Sequence, residues 1–466
     1  MPSLGSMPPS CDVDVDILII GAGACGLVAA LSAHQADKSA SLLIIDRDER
    51  PAGSTALSSG FVPAAGTALQ RKNGVEDSPS LFAHDIQAKA KGQAYQPLVQ
   101  TVTEHSAHVI DWLSEQFEIP FILLDNFLYP GHTVHRMHAM PQKTGAALHS
   151  ALWQAALSCD IPIACGYRAD TLLLDHNAHV QGVMAYGEDG QTQCIKFKKL
   201  ILACNGYGGN KELIAEHIPQ MADAMYFGHA GNQGDAVLWG KQLGAALADM
   251  SGYQGHGSVA WPHGVLISWA LMMDGALLIN AEGLRFSNEH EGYSEQAARV
   301  IQQPGQTAYV LFDERLLELG RSFPDFVEAE KAGALIKGDQ VVDLAQRLKI
   351  APNALQGTLA LCKDYIQATK SDPLGRDFRS QMPLSPPYYA IQVTGALFHT
   401  QGGLDINTSC EVLDQDGKVI PNLLAAGGAA RGVSGPNVSG YLSGNGLLTA
   451  LTLGHIAGQQ AAKSIF

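Results

Sequence analysis

Three glycines at a fixed spacing carry the first chemistry in this chain: Gly21-Ala-Gly23-Ala-Cys-Gly26. The run follows an apolar stretch of strand length, Val13–Ile20, and precedes an Ala-rich stretch, Leu27–Ala36, that reads as helix. In such a turn the first glycine permits the tight bend and the second lets a pyrophosphate reach the backbone. The third lets helix and strand pack closely, and the helix N-terminus faces the negative charge. A second apolar run, Ser41–Ile45, ends in Asp46, placed where a carboxylate accepts hydrogen bonds from ribose hydroxyls. The group so cradled is the ADP half of a dinucleotide.

The elements that must position this turn follow from the pattern of apolar runs. A strand, a helix and a second strand open the chain, as in a parallel nucleotide-binding sheet. Residues 61–160 read as mostly helical, with amphipathic stretches at Ser106–Glu115 and Thr144–Leu157. Strands are predicted at Ile161–Cys165, Thr171–Leu174 and Val180–Tyr186, and at Lys199–Ala203, which runs into Cys204-Asn205-Gly206. The segment 236–370 differs in texture, with helices over 310–365 and a short strand at Ala276–Ile279. Strands resume at Tyr388, and a small-residue helix, Gly446–Ser464, closes the chain.

Composition excludes several classes. Hydrophobic residues make up 46% and charged residues 16%, which describes a well-buried enzyme. A formal charge of -15, with no Lys/Arg-rich run, argues against nucleic acid as a partner. Eight cysteines without a CxxC pair read as buried thiols in a reducing compartment. Met1–Ser10 lacks a signal-peptide core, and no apolar run reaches the roughly 18 residues of a membrane span. These features predict a cytoplasmic protein. The stretch His132, His135, Arg136, His138 has no carboxylate at ligand spacing, so no metal is expected there and the residues read as surface or pocket-lining.

After the second strand comes a small, hydroxyl-rich loop, Gly53-Ser54-Thr55-Ala-Leu-Ser58-Ser59-Gly60. It resembles the loop that lies along the flavin in the fumarate reductase/succinate dehydrogenase flavoprotein superfamily. Further segments match in order. Leu202–Asn210 resembles the superfamily's "ATGGFGGN" stretch, and Gly234-Asp235 with Gly244-Ala245 resembles the entry to its cap domain. Gly283–Glu289 is similar to "GxRFxNE". Pro421–Gly428 resembles "PGLYAAGE", with Gly428 where the family has an acid. The resemblance implies non-covalent FAD held by Gly21, Gly23, Ala24, Gly26, Asp46, Arg47, Ser54, Thr55, Ser59 and Gly60. It extends the set to Ala203, Asn205, Gly206, Asp235, His399, Gly427, Gly428, Ser443, Gly446 and Leu447.

The same resemblance narrows the substrate. Carboxylates call for planar guanidinium partners. Soluble fumarate reductases place one arginine eight residues after the Arg of "GxRFxNE", and Tyr293 stands there. They place another in a loop that here reads Gly435-Pro-Asn-Val-Ser-Gly-Tyr441-Leu-Ser443-Gly444, without Arg. Their Thr-Glu pair is Ser268-Trp269. Two histidine positions are kept, His256 and His399, both expected at substrate. Arg136 and Arg431 stand as possible anchors should the substrate carry a carboxylate. Tyr293 with the Gly-Tyr-x-Ser-Gly loop is similar to the flavin-dependent 3-ketosteroid dehydrogenases, nearest the Δ4-(5α) branch. That implies Tyr441 and Ser443 at the α-proton or carbonyl, Tyr293 as their partner, and Tyr441 also in contact with substrate.

The expected fold is therefore α/β: a Rossmann-like FAD-binding domain from 13–235 and 371–466, an inserted α+β cap at 236–370, and a flexible 1–12. The expected function is FAD-dependent α,β-desaturation of a ketone, with a 3-ketosteroid first and a smaller oxocyclohexane carboxylate next. A flavin enone or enoate reductase and a non-catalytic FAD-binding subunit are the alternatives, and the sequence does not name the electron acceptor.

Overall fold

The structure, a computed structural model, describes residues 2–51, 53–125, 127–187 and 190–465. Two compact units emerge. One comprises the chain to Ile218, Gly228–Tyr253 and the chain from His399; the other comprises Pro219–Phe227 and Gln254–Phe398. The sequence places the insertion at 236–370. The second unit instead begins near Pro219 and runs on to Phe398, because the long strand Tyr388–Thr400 is its central strand.

The first unit is built on one sheet. Its strand order is Ser3–Ser6, Tyr167–Leu174, Val180–Gly187, Thr192–Leu202, Val13–Ile20, Leu42–Asp46, Ile163–Cys165. From Thr192–Leu202 to Ile163–Cys165 the neighbours run parallel, and Val419–Ala425 adds in parallel to Leu200–Leu202. Ile17, Leu18 and Ile19 are fully buried, as expected where helices cover both faces of a parallel sheet. Helix Ala24–Ala36 packs against the terminal helix Asn445–Lys463 at backbone distance. A Cβ at Gly458 would lie 2.1 Å from the Ala29 carbonyl oxygen, so the small-residue composition of the last helix is a packing requirement.

Three expectations are corrected in this unit, the first being the flexible 1–12, which holds the strand Ser3–Ser6 paired in parallel with Tyr167–Leu174. The mostly helical reading of 61–160 misses a three-stranded sheet of Val62–Pro63, Ile122–Leu124 and Met137–Ala139, whose strands are too short to show a period. The eight cysteines are not all thiols: Cys11 and Cys194 form a disulfide with Cα atoms 4.7 Å apart, and the other six are free. The pairing of Val13–Ile20 with Thr192–Leu202 brings them together, and Asp12 N–H donates to the Cys194 carbonyl (2.9 Å) and Cys194 N–H to the Asp12 carboxylate (2.8 Å). A separation of 183 residues leaves no local trace of that meeting.

The second unit is α+β, around a seven-stranded sheet whose main order is Val265–Leu266, Tyr253–Ala260, Tyr388–Thr400, Thr307–Asp313, Leu277–Ile279. Sequence patterning predicts only the last of these within 236–370. Thr307–Asp313 reads TAYVLFD, a short apolar run that periodicity alone does not separate from buried helix. Among the described residues no helix is long and apolar enough to cross a membrane.

Candidate functional site

The cradle in the first unit shows which glycines the fold itself demands. Gly21 has φ +112°, and a Cβ there would lie 2.5 Å from the Ala203 carbonyl oxygen; at Gly26 it would lie 1.8 Å from the Gly21 oxygen. Gly23 is different. Its φ of -74° suits any residue, and an added Cβ meets only Thr55 Oγ1 at 3.5 Å. Neither backbone nor neighbours require glycine at 23, so the space it leaves fits a ligand's pyrophosphate at the helix N-terminus. Around that space, Ala24 N–H donates to Thr55 Oγ1 (3.0 Å) and Ala22 N–H to one Asp46 oxygen (2.7 Å); Asp48 N–H takes the other (2.9 Å). Each carboxylate oxygen accepts more than one bond, which leaves Asp46 capacity for ribose hydroxyls.

The residues that the resemblance assigns to the flavin include two bonded groups. Ser54 Oγ accepts from Asn205 Nδ2 (2.8 Å) and Asn232 Nδ2 (2.9 Å), while Asn205 Oδ1 accepts from Gly206 N–H (2.8 Å). A Cβ at Gly428 would lie 2.2 Å from Asn205 Oδ1, so Asn205 occupies the room that a family acid at 428 would need. Arg47 pairs with Asp235; burial pushes the Asp235 carboxyl up even against that cation. Ser59 is exposed, Gly60 and Gly427 are buried, and Leu447 is half-buried. Further along, His399 meets Tyr441 edge-on with ring centroids 5.4 Å apart, and Gly446 borders the His399 ring. Ser443 is held at its carbonyl, which accepts from His132 Nε2 (2.9 Å). His132, expected at the surface or lining a pocket, is buried, and desolvation and Arg136 hold its pKa at about 4.

The second unit gathers an aromatic cluster. His256 stacks on Tyr293 (4.9 Å, 19°) and on Phe398 (5.6 Å, 24°), and Trp269 meets it edge-on (5.6 Å, 82°). Phe227 stacks on Phe398 in turn. Trp269 is fixed by its indole N–H to the Glu289 carbonyl (3.1 Å), and His256 Nδ1 accepts from Ser258 N–H (3.3 Å). Desolvation alone brings the His256 pKa to about 3, so the ring is neutral at pH 7. Phe227 and Phe398 joined this group without notice from the sequence, because their segments meet only through the pairing of Met225–Tyr226 with the long strand.

A neutral buried histidine has a pH signature. The unfolded chain protonates His256 near pH 6.5 while the folded chain does not until about pH 3, so stability is full above 6.5 and falls with acid through that window. His256→Phe is expected to remove about 1.4 kcal/mol of that loss per pH unit, read by urea unfolding at pH 7 and pH 5.

Buried guanidiniums are committed to carboxylates. Arg285 bonds Glu289 (2.8 and 2.7 Å) and Asp372 (3.0 and 3.1 Å), and Arg376 pairs with Glu289 (3.2 Å). Burial works against the Glu289 charge, but Arg285 and Arg376 overcome it and hold the carboxyl below its usual range. Arg136 is paired with Asp77 (3.0 Å) and Asp85 (2.7 Å), and Arg431 with Asp249 (2.9 Å) and Asp405 (3.0 Å). The two arginines weighed as substrate anchors are therefore already neutralised. Among the described residues no group of three or more His, Cys, Asp or Glu converges on a metal position.

A family model described as "FAD binding domain" matches residues 16–447. A probable fumarate reductase of Shewanella frigidimarina (strain NCIMB 400) is 32% identical over 454 residues, covering 96% of this chain and 74% of that protein. The chain belongs to this FAD-binding family. It is a flavoprotein of the fumarate reductase/succinate dehydrogenase superfamily, an oxidoreductase of CH–CH groups. The flavoprotein also superposes on a flavocytochrome c3 fumarate reductase in its open conformation, with TM-score 0.84 and 30% identity over 98% of this chain and 79% of that one. On 3-ketosteroid-Δ4-(5α)-dehydrogenase from Rhodococcus jostii RHA1, solved with 4-androstene-3,17-dione, the TM-score is 0.80 and the identity 25%, over 99% of this chain and 100% of that one.

Gly23→Val is expected to leave the far-ultraviolet circular dichroism unchanged and to lower bound FAD at least about tenfold, a loss of about 1.4 kcal/mol. Gly26→Val, which collides with backbone, is expected to lose the fold itself.

Proposed function

We propose that the flavoprotein introduces a C=C bond next to a ketone, with a 3-keto-5α-steroid as the leading substrate and a monocyclic ketone as the next. Two observations support this reading: an aromatic stack around a neutral His256 in the second unit, and the pairing of Arg136 and Arg431 in the first unit and of Arg285 and Arg376 in the second to carboxylates. Such a stack suits a flat, uncharged ring, and each of these four arginines already has a carboxylate partner.

FAD when bound supplies the acceptor for a hydride from the β-carbon. The chain's own task is the α-proton and the charge that builds on the carbonyl oxygen as that proton leaves. We assign that task to Tyr441, Ser443 and Tyr293, with His399 and His256 as neutral contacts to substrate. The FAD is assigned to Gly21, Gly23, Ala24, Gly26, Asp46, Arg47, Ser54, Thr55, Ser59, Gly60, Ala203, Asn205, Gly206, Asp235, Gly427, Gly428, Gly446 and Leu447.

One observation favours a second reading. The curated relative of highest identity reported above is a probable reductase, which supports the reverse reaction on an enone or enoate. A dye-coupled assay separates the two. Desaturation predicts dye reduction with 3-keto-5α-steroids or cyclohexanones and none with succinate. Turnover with succinate, or with no saturated ketone of either size, contradicts it.

A further inference from the structure

A line of buried polar side chains runs from His399 to the start of the last helix. Gln401 Nε2 donates to His399 Nδ1 (2.8 Å), and Ser434 Oγ donates to Gln401 Oε1 (2.7 Å). Asn445 Nδ2 donates to Ser434 Oγ (3.0 Å). Gln401, Ser434 and Asn445 are 6%, 1% and 0% exposed, so water does not compete for these bonds. Three separate segments supply the chain, and its direction matters. His399 Nδ1 has two contacts, the Gln401 amide at 2.8 Å and the Thr400 carbonyl oxygen at 3.3 Å; in the shorter one Nδ1 accepts, which puts the proton of a neutral imidazole on Nε2.

The far end of the line supports that direction. Asn445 Oδ1 is buried without a partner. Turning every amide over would put the Asn445 amide N–H2 in that place instead, leaving two buried N–H donors unpaired where the present arrangement leaves one oxygen. Nε2 lies on the side of Gly446, where an added Cβ would begin 3.1 Å from it, so glycine leaves that edge of the ring uncovered by a side chain.

We infer that Gln401 is a positioning residue that fixes His399 as its Nε2–H tautomer, a neutral donor suited to a neutral carbonyl oxygen. The inference rests on the assignment of His399 to the reaction site made above. The ring contact between His399 and Tyr441 extends the consequence, because the same bond that sets the tautomer sets the surface on which the phenol rests.

The test is nitrogen NMR of the FAD-loaded protein labelled with [15N]histidine, the His399 signals being assigned by their loss in His399→Gln. The expected wild-type pattern is an unprotonated Nδ1 and a protonated Nε2. In Gln401→Glu the new carboxylate accepts where the amide donated, so the pattern is expected to invert to Nδ1–H, with kcat for a ketone falling at least about tenfold and KM changing little. Ser434→Ala, which removes only a hydroxyl, is expected to give a mixture of the two tautomers and serves if Gln401→Glu does not fold. A protonated Nδ1 in the wild type, or one pattern shared by wild type and both variants, overturns the inference. Ketone inactivity with the expected tautomer pattern would instead count against the proposed substrate and leave the Gln401 assignment standing.

Discussion

Tyr441→Phe and Tyr293→Phe are each expected to keep bound FAD and to lose at least about a hundredfold in kcat for a ketone, the scale of a lost acid or base group. Drawing a proton from the α-carbon places charge on oxygen, and a phenol handles both the proton and the oxygen only if its hydroxyl is present. Phe keeps the ring, so the contact of Tyr441 with His399 and the stack of Tyr293 on His256 are retained in the variants. That separates chemistry from packing: flavin absorbance of the purified proteins reports the fold and the cradle, and turnover reports the hydroxyl. Near wild-type kcat in both variants would remove the tyrosines from the mechanism.

Arg285→Ala is expected to destabilise the second unit by about 3–5 kcal/mol, the range for removing one partner from a buried ion network. Its guanidinium holds both oxygens of Glu289 and both of Asp372, and its side chain is 5% exposed. Without it Arg376 alone faces two buried carboxylates. Arg285→Lys is expected to recover only part of the loss, because an ammonium does not make two planar bidentate pairs. Urea unfolding of wild type and both variants measures this, and a loss below about 1 kcal/mol in Arg285→Ala would show the network to be dispensable. The motif Gly283–Glu289 thus has a structural task here: it anchors the turn that leads into Tyr293.

How much was legible beforehand depended on the distance over which each feature is written. Gly21, Gly26 and Asp46 carry their reasons within one strand, turn and strand, so both motif and parallel sheet could be read directly. The strands of the second unit could not, since runs such as Thr307–Asp313 lack a period long enough to tell them from buried helix. The Cys11–Cys194 disulfide and the Gln401–Ser434–Asn445 line are made by segments remote in sequence, and no spacing announces either. Charge was misjudged for a related reason. Arg136 and Arg431 look available in the sequence because Asp77, Asp85, Asp249 and Asp405, which neutralise them, lie 26 to 182 residues away. Gly428 departs from the family in sequence, and the approach of Asn205 Oδ1, 2.2 Å from where a Cβ at 428 would lie, shows only in three dimensions.

The central claim, oxidation of a saturated ketone on this flavoprotein, is tested most directly by anaerobic titration of the FAD-loaded protein followed by absorbance. Stepwise addition of a 3-keto-5α-steroid, or of a cyclohexanone in a parallel cuvette, is predicted to bleach the oxidised flavin band with one equivalent of enone formed per flavin. An oxidised band unchanged by every saturated ketone, with reduced protein reoxidised by an enone or by fumarate, would contradict it.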